Sequence, residues 1–319
     1  MRYLLSILFL GFIISISSCR KDFEFEPNTG NLEFSRDTIY LDTVFTDIGS
    51  STYTLKVYNN SKNDIKIPSI SLERGENSGY RMTVDGMTGE GNKSFKNVEL
   101  LAKDSLYIFI ETTANIAQAS AEDFLYTDKI LFDSGSNQQV VNLVTLIQDA
   151  YFIFPNRENG IYESVDYGYD EEGNKTQIKG RNLNENHPDN GNELVWNNSK
   201  PYVVYGFASV PSGKILEVNA GARVHFHAES GLIVQENATL KINGSLSPDQ
   251  NLANEVIFEG DRLEPFFADV PGQWGFVYLR QGSKDHEISH LTLKNATIGL
   301  FVENNSGDVM RIHNTQIYN

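Results

Sequence analysis

Eight residues near the C-terminal end of the sequence repeat. Leu291-Thr-Leu293-Lys-Asn295-Ala296-Thr-Ile298 matches Met310-Arg-Ile312-His-Asn314-Thr315-Gln-Ile317 at a constant offset of 19 residues (310 − 291). A fixed period near 20 with apolar residues alternating inside it is the pattern of a solenoid. Alternation at period 2 makes the repeating units strands. One turn of such a chain cannot bury its own apolar face, so successive turns must stack. A weaker match lies upstream, where Leu216, Val218, Ala222, Val224 and Phe226 recur as Leu232, Val234, Ala238, Leu240 and Ile242, offset by 16 (232 − 216).

The alternation assigns faces. Leu291, Leu293, Met310 and Ile312 point inward and form aliphatic stacks, which leaves His290, Thr292, Lys294, Arg311 and His313 outward. Asn295 and Asn314 fall where the strand must bend, and asparagine tolerates the left-handed backbone such a bend needs. Stacked one turn apart, their amides are expected to bond along the axis.

Short strands ended by asparagine turns, in coils of about 20 residues, resemble the right-handed parallel β-helix of the pectate-lyase-like superfamily. The run 202–319 is more narrowly similar to β-helix domains of bacterial surface lipoproteins. The pieces that carry this likeness are Lys200-Pro-Tyr-Val-Val-Tyr-Gly206, Leu216-Glu-Val-Asn-Ala-Gly221, Phe258-Glu-Gly-Asp-Arg-Leu263 and Pro271-Gly-Gln-Trp-Gly275. The resemblance implies a fold and leaves function open, because one fold hosts many functions.

The first 18 residues read as a secretory signal: Arg2 supplies the positive start, and the stretch from Tyr3 to Ile16 is almost wholly apolar. That stretch is shorter than the ~20 residues a membrane-spanning helix needs. It ends in Ile16-Ser17-Ser18-Cys19, which resembles the lipobox of bacterial lipoproteins. The resemblance implies that Cys19, the single cysteine, carries acyl chains after cleavage, and two or more chains anchor stably where one does not. The following Arg20-Lys21-Asp22-Phe23-Glu24-Phe25-Glu26 reads as an acidic tether and loosely resembles signals for the outer face of the outer membrane. A lone cysteine rules out a disulfide framework within the chain.

The formal charge of −16, from 26 basic and 42 acidic residues, argues against nucleic acid and against polyanions held by direct contact. Long helical patterns are absent, and 15 Tyr with 19 Phe suit an all-β chain. Ahead of the repeats, strands are expected at Thr38-Ile-Tyr-Leu41, Ser51 through Tyr58, Ile65-Lys-Ile67, Ser105 through Ile110, Lys129-Ile-Leu-Phe132 and Gln139 through Ile147. Turn signals separate them at 59–61, 75–79 and 133–137. The expected architecture is therefore a signal peptide over 1–18, a tether over 19–31 and an immunoglobulin-like β-sandwich over 32–150. A hairpin and Asn-rich linker over 151–201 then lead to a right-handed parallel β-helix over 202–319. The last unit reads as a coil and not as a cap, so the helix is expected to be truncated.

Candidate chemistry is sparse. Asp166, Asp170 and Glu172 near Gly173 fail the calcium-loop spacing and read as a plain hairpin. His225 and His227 fall on one outer face, two residues apart on a strand, and would ligate zinc if a neighbouring coil supplied a third ligand. Arg262, Glu264 and Asp269 sit in a loop leading to Trp274: the carboxylates suit acid/base hydrolysis, Arg262 suits a substrate carboxylate, and Trp274 with Arg262 suits ligand contact. The plainer expectation is that Asp261 pairs with Arg262 and that Phe266, Phe267 and Trp274 pack beneath the loop. The sum points to a lipid-anchored, cofactor-free binding or adhesion module of the cell envelope for glycan or protein. The alternative is a polysaccharide lyase or hydrolase, with calcium if a lyase; a purely structural envelope component is the third.

Overall fold

The computed structural model describes residues 24–120, 124–303 and 310–318. Cys19, the signal segment and the first part of the tether lie outside them. Among the described residues the chain is all-β: strands with four short 3-10 turns, and no helix long and apolar enough to cross a membrane. It divides into two compact units, one of Met1–Leu41, Ser50–Thr113 and Thr127–Val144, the other of Asp42–Gly49, Ala114–Tyr126 and Thr145–Asn319.

The smaller unit is built on two sheets. One orders the strands Glu33–Phe34, Tyr53–Tyr58, Ser105–Thr112 and Tyr80–Val84. The other orders Glu26–Pro27, Ile65–Leu72, Leu125–Phe132, Gln139–Gln148 and Thr38–Phe45, with Ser94–Leu100 also on Ile65–Leu72. The period-2 pattern acts directly: Leu106, Ile108 and Ile110 are buried while Tyr107 and Phe109 between them are exposed. Each aliphatic side chain so buried contributes about 1.5–3 kcal/mol. The sequence reading missed Tyr80–Val84 and Ser94–Leu100, and it stopped at Ile67 a strand that runs on through Pro68 to Leu72. Pairing resumes at Ser69 opposite Lys96 after Ile67 opposite Val98. Pro68 thus faces Asn97, which takes a left-handed φ of 54°, and the ladder skips that one position, where Pro68 has no N–H to give, without changing register.

In the larger unit the chain visits three parallel sheets in rotation. The first holds Tyr151–Ile153, Tyr202–Val204, Arg223–Phe226, Val256–Gly260, Leu291–Lys294 and Gln316–Tyr318. The second begins with Ser164–Tyr169 antiparallel to Lys175–Asn182 and continues in parallel through Phe207–Val210, Gly231–Val234, Trp274–Leu279 and Ala296–Val302. The third holds Val195–Trp196, Ile215–Asn219, Thr239–Asn243, His286–Ser289 and Met310–His313. Pairing therefore starts upstream of residue 202, at Tyr151, Gly180 and Val195. Inward side chains stack from circuit to circuit, as in Trp196, Val218, Ile242 and Ile288 of the third sheet. Phe226 lies flat on Trp274 with ring centroids 4.2 Å apart. The chain closes tightly at Gly231, where a Cβ would meet the Phe276 carbonyl oxygen at 2.3 Å.

The register corrects the period. Leu293 pairs with Ile317 and Ile288 with Ile312, each 24 residues on (317 − 293, 312 − 288). The 19-residue match aligned Leu291 of the first sheet with Met310 of the third, one strand out of step. The 16-residue match likewise set Leu216 of the third sheet on Leu232 of the second; its true partner is Leu240. All these strands carry the same alternation, so self-comparison cannot tell the next strand from the next circuit. One circuit is much longer, with Ile242 opposite Ile288 (288 − 242, or 46 residues) because segments 245–255 and 261–273 leave the stack at two corners.

The turn asparagines have the expected left-handed backbone, φ 63° at Asn295 and 47° at Asn314. Their amides do not form the expected ladder. Asn295 Nδ2 donates to the Ala268 and Val270 carbonyls at 3.0 Å each, and Asn314 Nδ2 reaches His290 Nε2 at 3.2 Å. The 261–273 segment has claimed Asn295. Thr292, expected outward and exposed, is buried.

The 166–175 region is the hairpin expected. Asp170 Oδ1 accepts from the Asn174 N–H at 2.7 Å, Lys175 pairs with Asp166 at 2.9 Å, and the Asn174 side chain holds the Asp170 carboxyl below its usual range. Its Val165 packs with Phe207, Ile233 and Tyr278 on the second sheet. The Asn-rich loop is largely exposed along 184–192, yet its ends close over a buried ion pair: the two terminal Arg181 guanidinium nitrogens bond the two Glu193 oxygens, with side chains 7% and 1% exposed. Asn184 N–H and Asn190 Nδ2 occupy the remaining lone pairs at 3.0 and 2.7 Å. Burial alone would raise the Glu193 carboxyl, but the hydrogen bonds from Arg181 and Asn190 overcome it and hold the group below its usual range.

Candidate functional site

The strand Arg223–Phe226 places Val224 and Phe226 in the core and turns His225 the other way, as alternation requires. His225 is nevertheless buried, its ring 5.0 Å from that of Phe45 and its Nδ1 3.3 Å from the Gly260 carbonyl. Burial pushes its imidazole down, against the opposing pull of Glu259 and the Gly260 carbonyl. His227 lies beyond the strand end and is exposed, with Nδ1 2.7 Å from Asp261 Oδ2. The pair expected on one open face is thus split by a covering aromatic ring that alternation cannot reveal. Among the described residues no three His, Cys, Asp or Glu side chains stand together as a metal site.

The other singled-out residues separate too. The Arg262 Nη2 bonds Glu264 at 2.8 Å, and its guanidinium lies 4.0 Å over the Phe267 ring. Asp269 is exposed on the same segment. Trp274 is 1% exposed, its Nε1 donating to the Lys294 carbonyl at 2.9 Å, so it serves the core more than a ligand. Phe266 stays exposed and does not pack under the loop.

What the larger unit does bring together is a cleft of about 560 Å³. Apolar lining comes from Tyr205, Phe207, Phe276 and Ile298, and polar lining from Lys179, His227, Glu229 and Gln273. These come from strand ends and corners at the edge between the first and second sheets, with five successive circuits contributing. The Tyr205 ring lies 4.4 Å from that of His227. Burial, then the nearby Asp261 charge, pushes the Tyr205 phenol up to about 12. Lys179 and Tyr205 also line a neighbouring cavity of about 440 Å³ with Phe152, Phe154 and Tyr162, where the Lys179 ammonium sits 4.0 Å from the Tyr162 ring centroid. The sequence reading named His227 and Asp261 in other roles and passed over Tyr205 and Lys179. The signal for Tyr205 was a large aromatic at a strand end directly before Gly206, whose φ is 68°.

The chain matches no protein-family model and no curated protein. Similar solved structures include the E. coli chaperone DraB, at 13% identity over 44% of this chain and a TM-score of 0.25; this chain spans 61% of DraB's length. A PapD-like domain of human CEP192 is similar at 13% identity, over 42% of this chain and 96% of that domain, with a TM-score of 0.24. A family 123 glycoside hydrolase from Clostridium perfringens is similar at 9% identity, over 36% of this chain and 25% of that one, with a TM-score of 0.23. At such scores none of them carries an argument about this chain.

Proposed function

We propose that the protein is a cell-envelope lipoprotein, held in the outer membrane through acyl chains on Cys19, whose larger unit binds a glycan in the 560 Å³ cleft. In this reading the three-sheet coil is a right-handed parallel β-helix, the hand that parallel crossovers almost always take. The smaller unit is an immunoglobulin-like sandwich that acts as a spacer.

The observation that carries the proposal is the cleft lining. Aromatic rings of Tyr205, Phe207 and Phe276 stand beside Lys179, His227 and Glu229, and a sugar ring offers apolar C–H faces with a rim of hydroxyls. The concave form and volume suit a small or slender ligand, whose sites run about 300–1,000 Å³. A protein partner would call for roughly 800 Å² of surface on each side.

The test is calorimetric titration of the full-length protein in detergent with a panel of neutral and acidic oligosaccharides. Saturable binding to at least one, weakened about tenfold or more by Phe276→Ala, supports the proposal, tenfold being about 1.4 kcal/mol. Binding to none of them, with an envelope protein retained instead, sinks it. Cys19→Ser should move the protein from the membrane to the soluble fraction, and unchanged membrane retention would remove the anchor.

A further inference from the structure

Within that cleft one arrangement exceeds what binding needs. The Asp261 carboxylate is 9% exposed and holds Nδ1 of His227, whose side chain is 47% exposed, at 2.7 Å. A carboxylate on Nδ1 fixes the tautomer with the proton there and leaves the Nε2 lone pair free. Among the described residues nothing else binds the His227 ring nitrogens or the Tyr205 hydroxyl, and the two rings lie tilted with centroids 4.4 Å apart in one lining. Tyr205 stays protonated at neutral pH, so its O–H is a donor. Lys179 adds positive charge to the same cavity.

A base oriented by a buried acid, beside a free neutral donor, is the equipment of acyl transfer. Glycoside cleavage calls for two carboxyl groups flanking the bond. This lining offers Glu229 alone; Asp261 is not part of it and is bonded to His227. It also offers no Ser or Cys, and its one Thr, Thr297, donates its hydroxyl to the Trp274 carbonyl at 2.8 Å, while His227 and Tyr205 are taken here as base and donor. The attacking group is therefore water.

We propose that the cleft hydrolyses acyl esters carried on a bound glycan, with His227 as general base, Tyr205 as donor to the oxyanion and Asp261 as the residue positioning the imidazole. His227 Nε2 takes a proton from water as the water oxygen bonds to the acyl carbon, and the carbonyl π pair moves onto oxygen, where the Tyr205 O–H meets it. As the intermediate collapses the bond to the sugar oxygen breaks, and the imidazolium returns its proton to that oxygen. One ester and one water give a carboxylic acid and a sugar hydroxyl, with no further reactant. The ester specificity rests on the glycan reading above; the acid–base pair does not.

The experiment measures acetate released from acetylated xylo-oligosaccharides by the full-length protein in detergent, with 4-nitrophenyl acetate as a probe that needs no sugar contact. Release above the buffer rate is expected, falling about 100-fold or more in kcat in His227→Gln and Tyr205→Phe. Asp261→Asn should lower kcat with little change in KM, and an unchanged kcat in that variant would remove the positioning role. Tyr205→Phe, almost isosteric, keeps the test open if His227→Gln does not fold. No release, or equal release by wild type and both variants, overturns the proposal. Calorimetry with the deacetylated oligosaccharide separates the two readings. Binding without hydrolysis removes the esterase and keeps the glycan site. His227-dependent cleavage of 4-nitrophenyl acetate without sugar binding supports the acid–base pair and removes the glycan reading.

Discussion

The two units satisfy their backbones in different ways. In the smaller one, most partners lie far apart in sequence and run antiparallel, as with Tyr53 opposite Ile110 and Tyr80 opposite Thr112. In the larger one, most partners lie one circuit away and run parallel, 24 residues on for Leu216 and Leu240 (240 − 216). A core built from distant partners stands or falls as one, whereas a stack is close to a sum of neighbouring interfaces. The lesson is that equal burial need not mean equal cooperativity.

The largest effect that would break this contrast is Trp274→Ala, which empties the ring packed on Phe226 and should cost the larger unit about 4–5 kcal/mol. In denaturant unfolding followed by hydrogen exchange, amides of the smaller unit should keep their protection. If both units lose protection together, the contrast is wrong. Next comes Glu193→Gln, which strands Arg181 in the first circuit and should cost about 3 kcal/mol. The Glu193 carboxyl is depressed in the folded chain, so its contribution is present above the unfolded carboxylate range and is lost as pH falls through the folded value. Glu193→Gln should therefore flatten the acid limb of a stability–pH curve.

His225 sharpens the comparison in a milder range. Its folded pKa is depressed by burial, so below about 6.5 the unfolded chain binds one more proton than the folded one. Stability of the larger unit should decline as pH drops below that point, by at most about 1.4 kcal/mol per pH unit. His225→Phe should remove that slope in thermal melts between pH 6.5 and 5, and a slope that persists would assign it elsewhere. The smallest effect is on the smaller unit's surface. Lys129→Ala breaks a half-exposed pair with Glu73 at 3.0 Å and should change stability by under about 0.5 kcal/mol. A larger loss by chemical denaturation would mean that the surface of this unit does more than its core suggests.

Much of the molecule was legible because alternation and turn chemistry are local. The strands at Leu291 and Met310, the left-handed asparagines after them, and the hairpin between Asp166 and Lys175 follow from neighbours in the chain. Register was not legible, because a coil of three short strands looks alike at each strand and the long circuit hides its own length. The site suffered from the same limit. His227 and Asp261 are 34 residues apart (261 − 227) and adjacent only because Phe226 pairs with Gly260. His225 was misjudged because its exposure is set by Phe45, 180 positions earlier (225 − 45). No pattern within a strand carries that information.

The long circuit has a consequence for how such a chain can change over generations. Segment 261–273 departs at a corner, and the ladder continues undisturbed on both sides, with Val224 opposite Phe258 before it and Leu232 opposite Val277 after it. Substitutions and changes of length there leave every stacked pair as it was, whereas a one-residue slip inside a strand would turn its buried face outward. Gly272 and Gln273 close that segment, so part of the cleft's edge belongs to chain that lies outside the stacked ladder. Descendants of this scaffold can reshape that edge while inheriting the stack intact.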